Sequence, residues 1–138
     1  MNPKKIPFQK IENSRFAVYL KKAKDFYQSM LRAYSDNNWH SVGLEAVHCA
    51  ISATDALLVY RAGIRCTSQR HLDIVDVLVD QIKTEKSQKN IRTLIKILEM
   101  KNLVEYEDRL FTQKEASEIL KRTERYFDWV KNQLPSDI

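Results

Sequence analysis

Glycine is nearly absent from this chain: Gly43 and Gly63 are the only two in 138 residues. Soluble proteins use about 7 % glycine, and sheets spend much of theirs in hairpins that need positive φ. A chain this poor in glycine is therefore expected to be all-α. The same scarcity excludes the phosphate-cradling loops of Rossmann and P-loop domains. Neither G-x-G-x-x-G nor G-x-x-x-x-G-K-[ST] can be written with Gly43 and Gly63.

The length suits one domain over residues 1–138, with 1–12 as an irregular N-terminal segment. Such a chain buries roughly two-thirds of its unfolded surface with no staple to help it. Its 43 % hydrophobic and 30 % charged residues describe a globular chain, not a disordered one. No continuous apolar run approaches the ~20 residues of a membrane span. The start, MNPKKIPFQK, has lysines but no apolar stretch or cleavage site of a secretory leader. The chain is accordingly expected in the cytoplasm, with no membrane partner. Cys49 and Cys66 form no Cys-x-x-Cys pair, so both are expected to be reduced, and no metal or other cofactor is expected.

Apolar periodicity predicts five helices. From about 13 to 36, Phe16, Leu20, Ala23, Tyr27, Met30 and Tyr34 recur at spacings of three and four. From about 39 to 62, Gly43, Ala46, Val47, Ala50, Ile51, Thr54, Leu57 and Leu58 form a broader, small-residue face that suits a central helix, and Gly63 suits its C-cap. A loop, 64–70, leads to a third helix bearing Leu72, Val75, Leu78, Val79 and Ile82. A fourth runs from about 88 to 100, followed by an irregular connection over 102–109. Thr112-Gln113-Lys114-Glu115 is a capping-box pattern that opens the last helix, and Pro135 ends it. Five helices on short connections make a mainly antiparallel up-and-down bundle.

Charge is segregated along the chain. Residues 1–35 hold eight Lys or Arg against two acids, whereas 36–60 hold three acids and no Lys or Arg. Arg61, Arg65 and Arg70 then fall within ten residues. A positive field gathered on some faces suits an anionic partner such as RNA or a nucleotide phosphate. The plain alternative for the first helix is a solvated lysine face.

Three constellations bear on chemistry. Glu45 and His48 have the Glu-x-x-His spacing of di-metal bundles, but no second such pair exists. The simpler reading is a polar interface stripe of Glu45, His48, Ser52 and Asp55. Cys66, His71 and Asp73 contain the residue types of a nucleophilic triad, crowded into eight residues without a strand-built elbow. Trp39, Tyr126, Phe127 and Trp129 sit at helical spacing, which suits a core better than a base-stacking platform.

The third constellation is Arg65-Cys66-Thr67-Ser68-Gln69-Arg70-His71. If Ser68 caps the third helix, His71 is its third residue. There the positive helix end and the arginines would depress its pKa and keep it neutral. A neutral imidazole can take the 2′-hydroxyl proton of RNA while Arg65 or Arg70 stabilises the phosphorane, with Arg61 as a further phosphate ligand. The alternative is a histidine that only caps the helix or packs on the loop.

The run from His48 to Leu58, then Gly63, His71, the 101–109 connection and Thr112 to Ala116, resembles the small prokaryotic members of the HEPN family, a name that abbreviates higher eukaryote and prokaryote nucleotide-binding domain. The resemblance covers about 39–134. It implies an up-and-down bundle, frequent homodimerisation and a role around RNA or nucleotides. It also implies, for many members, metal-independent endoribonuclease activity in toxin–antitoxin, defence or RNA-processing systems, often beside a nucleotidyltransferase-type antitoxin. The family signature is an Arg, four to six residues and a His. Arg65 and His71 are separated by five, with Cys66 where a polar residue usually follows the Arg. In catalytic relatives two such motifs meet across a dimer, here through the second helix and the start of the third. The readings left open are an RNA-cleaving protein with Arg65 and His71 as catalytic residues, a non-catalytic nucleotide-binding or partner-docking module, and an oligomeric scaffold.

Overall fold

The computed structural model describes residues 5–82 and 85–135, apart from the side chains of residues 85 and 86. Its helices are α1 (Phe16–Ser35), α2 (Trp39–Ala62), α3 (Asp73–Gln81), α4 (Glu85–Glu99), α5 (Lys101–Tyr106) and α6 (Gln113–Asn132). Two short strands, β1 (Phe8–Lys10) and β2 (Ile64–Cys66), pair antiparallel, and Asn13–Arg15 form a single 3-10 turn before α1. The chain is a mostly helical, antiparallel bundle, as the glycine count and periodicity predict.

α2 is the axis. Every residue from Ser52 to Val59 is buried, which an amphipathic surface helix cannot achieve. α1 packs along one side and α6 along another, while α3, α4 and α5 touch the remainder. Ala46, Ala50, Ala53 and Ala56 are all fully buried and keep the approach close. Gly43 is required by packing: a Cβ there would lie 2.7 Å from the Phe111 ring and 2.8 Å from Val104. Thr54 donates its hydroxyl to the Ala50 carbonyl at 2.8 Å, so the Tyr126 hydroxyl of α6 is the donor in its contact with Thr54. The central position calls for an apolar sequence: α2 has a mean hydropathy of 1.5 over its most apolar window and is long and apolar enough to cross a membrane by length and composition alone. The expectation that no segment has that character is therefore corrected. Core helices reach the same hydropathy, and 78 % of this window is covered by the bundle itself.

Three further expectations are corrected. The N-terminal segment is not irregular throughout, and the loop 64–70 begins as a strand: Phe8, Gln9 and Lys10 pair with Cys66, Arg65 and Ile64. Flanking bonds extend the ladder, from the Thr67 N–H to the Pro7 carbonyl at 3.0 Å and from the Ile11 N–H to the Gly63 carbonyl at 2.8 Å. The 102–109 connection contains α5, whose Val104 is buried against α2. A six-residue helix and three-residue strands carry too little periodicity to register in the sequence.

The ends of the elements follow local chemistry. Gly63 adopts φ 63°, ψ 31° at the C-cap of α2, and its N–H reaches the Val59 carbonyl at 2.9 Å. The Asn13 amide supplies a second cap, donating to the Val59 and Tyr60 carbonyls at 3.0 Å each. Thr112 and Glu115 form a reciprocal capping box on α6.

Candidate functional site

The turn that leaves α2 decides where Arg65 lies. Gly63 reverses the backbone, β1 fixes β2 in register, and Arg65 emerges next to the last buried turns of α2. Its Nε donates to Asp55 Oδ2 at 3.2 Å, and its guanidinium lies 5.5 Å from the centre of the Tyr19 ring on α1. Arg65 is thus clamped between α1 and α2, with 40 % of its side chain still exposed.

Residues 67–72 then wind tightly into α3. The Asp73, Ile74 and Val75 amides donate three residues back, to Arg70, His71 and Leu72. The expected Ser68 cap is not formed. α3 begins at Asp73 with Leu72 in the N-cap position, so His71 precedes the helix by two residues instead of being its third. Ser68 is otherwise engaged: its hydroxyl donates to the buried Asp73 carboxylate at 2.6 Å and accepts the Arg70 N–H at 3.1 Å. That knot folds the segment back on itself.

The result is a pocket of about 230 Å³ lined by Arg65, Arg70 and His71, with Asp55, Thr67 and Ser68. On its other side, Arg70 and His71 also border a cavity of about 490 Å³ between α3, α4 and α5. Among the described residues Arg70 makes no ion pair, so its charge is available to a ligand. Arg65 is committed to Asp55 through Nε alone, and a guanidinium carries five N–H donors.

Two groups in this pocket are displaced from their ordinary ionisation. Burial pushes the Asp55 carboxyl up to about 6, against the pull of Arg65 and of Lys22. Its Oδ1 is buried without a hydrogen-bond partner. The His71 imidazole is lowered, chiefly by burial, then by the Lys101 ammonium and by His48, with Glu105 opposing. The direction is the one the sequence suggests. The cause is different, because the helix end and the arginines are not what depresses it. Lys101 is paired with Glu105 at 2.9 Å, which holds that carboxylate below its usual range.

The other sequence candidates are distributed elsewhere. Arg61, in the last turn of α2, is not part of the pocket and donates instead to Gln133 Oε1, just past the end of α6, at 3.1 Å. In the polar stripe, His48 stacks on Phe26 of α1 at 5.3 Å, Ser52 is buried, and Asp55 turns to Arg65, while Glu45 stays partly exposed. Cys66 lines the pocket, yet burial and the Asp55 and Asp73 carboxylates push its thiol up, with Ser68 and Arg65 opposing, which is the wrong direction for a nucleophile. Asp73 is bound by Ser68 and does not serve as a triad acid. Tyr126 and Phe127 are core residues, Trp129 packs on Tyr126 at 5.8 Å, and Trp39 packs on Tyr34 at 5.2 Å. The sequence reading missed the Asp55–Arg65 pair and the proximity of Lys101. An acid set directly before the apolar run Ala56-Leu57-Leu58-Val59 was the available signal for the first, and nothing local signals the second.

A search of curated proteins returned no match. The HEPN domain model matches residues 16–133, all but the N-terminal segment and the last few residues, and the chain belongs to the HEPN family.

Proposed function

We propose that the pocket between β2 and α3 binds an RNA phosphate and supports cleavage of the strand without metal. Family membership links the chain to nucleotides and RNA. The observation that carries the finer reading is that Arg65, Arg70 and His71 line one pocket. Arg70 supplies unpaired charge, and Arg65 supplies donors already oriented by Asp55 and Tyr19. His71, kept neutral, takes the proton of a ribose 2′-hydroxyl. The 2′-oxygen bonds to phosphorus, the bond from phosphorus to the 5′-oxygen breaks, and that oxygen leaves with a proton from solvent. The products are a 2′,3′-cyclic phosphate and a 5′-hydroxyl.

Within this reading the chain is a cytoplasmic ribonuclease of a toxin–antitoxin or defence pair, with a nucleotidyltransferase-type partner. It works as a homodimer. Leu72, the N-cap residue next to His71, and Val79, further along α3, are exposed and supply apolar surface for self-association. The α2 face expected to join that dimer is mostly covered by α1 and Arg65.

A second reading has one observation in its favour. The Asp55–Arg65 ion pair already neutralises Arg65 in part, as suits a member that binds nucleotide phosphate without turnover. The test is cleavage of labelled mixed-sequence RNA in excess EDTA. Wild type should yield cyclic phosphate ends, and His71→Ala, prepared identically, should lose at least a hundredfold in rate. Equal cleavage by both proteins, or none by either, would overturn catalysis. Phosphate-dependent binding that Arg70→Ala abolishes would then support the second reading.

A further inference from the structure

The cavity of about 490 Å³ on the far side of Arg70 and His71 has the construction of a ring-binding site. Its volume is in the range that encloses a small ligand. The floor is apolar: Val75 and Leu98 are buried and Ile95 partly so. At the rim stands Tyr106, 71 % exposed, with the Lys101 ammonium 5.5 Å from its ring centre. An exposed aromatic face above an apolar floor is a platform on which an unstacked base can lie.

The polar groups of the rim suit a base better than an acyl chain or an apolar peptide side chain. Asp76 and Asn102 are both exposed at the cavity. An ionised carboxylate only accepts, and an amide both donates and accepts. Together they match a base edge that presents N–H groups beside a carbonyl, which guanine offers. Moreover, the cavity is not isolated. Arg70 and His71 form the wall it shares with the phosphate pocket, so a ligand lying across that wall has its ring on one side and its phosphate on the other.

We propose that this cavity holds the nucleobase of the nucleotide whose phosphate occupies the smaller pocket, with Tyr106 as the stacking face and Asp76 and Asn102 as readers of a guanine edge. The inference rests on the phosphate-binding reading above. It adds what that reading lacks, a source of preference among RNA sites.

The probe is a 2′-O-methyl trinucleotide with guanine at its centre and uracil on either side, which cannot be cleaved at a blocked 2′-oxygen. Its counterpart is abasic at the centre. Binding is read by fluorescence anisotropy. The guanine trinucleotide should bind wild type at least tenfold more tightly than the abasic one. Tyr106→Ala should remove most of that difference and leave the abasic affinity unchanged; the exposed position makes misfolding a poor explanation. Equal binding of both trinucleotides, equal weakening of both by Tyr106→Ala, or no binding of either would overturn the proposal. Arg65→Ala separates the two readings. It should weaken both trinucleotides alike, and if it affects neither, the phosphate pocket fails while a guanine-dependent difference in wild type still upholds the base pocket.

Discussion

Asp55 is held in the core with one oxygen bonded to Arg65 and the other without a partner. Burial disfavours its charge more than Arg65 restores it, so its folded pKa, about 6, lies above the ordinary carboxylate value. A raised acid pKa stabilises the fold below the unfolded pKa and loses that contribution as pH rises through the folded one. Asp55→Asn keeps an acceptor for Arg65 and removes the charge. The variant should therefore match wild type near pH 3.5 and exceed it by on the order of 2–3 kcal/mol near pH 8. Urea unfolding of both proteins across that window checks the sign. A variant less stable than wild type at pH 8 would mean that the ion pair outweighs burial. Gly43 makes a second, sterically based claim. Gly43→Ala should cost about 1–3 kcal/mol, because the Phe111 ring and Val104 must shift to admit a methyl group. Chemical denaturation that shows no loss would contradict the seating of Phe111 and α5 on α2.

The small strand pair is the element that most affects the site. Antiparallel partners alternate between bonded and non-bonded pairs. The Thr67–Pro7 and Ile11–Gly63 bonds place Gln9 opposite Arg65 at a bonded position. Gln9→Pro deletes that N–H and should free β2 to wander. The expected outcome is a several-fold loss of RNA affinity with little change in thermal midpoint, since the residues of β1 are exposed and outside the core. Unchanged affinity would show that Asp55 and Tyr19 fix Arg65 without the strand. The same element explains what the sequence could disclose. α1, α2, α4 and α6 were legible because each repeats its apolar positions over many turns, and the α6 cap was legible because Thr112 and Glu115 stand three residues apart. β1 and β2 lie more than fifty residues apart in the chain, and no local pattern announces their pairing. His71 was misplaced for a related reason: Ser68 had a stronger partner in Asp73 than the helix terminus it was expected to cap.

At the scale of the whole molecule, the bundle sets a histidine of lowered pKa beside two arginines, one paired with Asp55 and one without an ion pair among the described residues, at the place where α2 ends and α3 begins. The interior supplies burial, which lowers His71 and raises Asp55, so both groups are less charged at neutral pH than they would be in water. With His71 acting as a base whose pKa is lowered, the acidic limb of the pH–rate profile should lie below that expected for an ordinary imidazole. The central claim, that Arg65 and His71 serve one phosphate site, is tested most directly by the imidazole NMR signals of His71 during titration with an uncleavable 2′-O-methyl RNA. The account predicts that His71 shifts on binding and that Arg65→Ala raises the midpoint at least tenfold. A His71 signal indifferent to saturating RNA, or one that responds identically without Arg65, would contradict it.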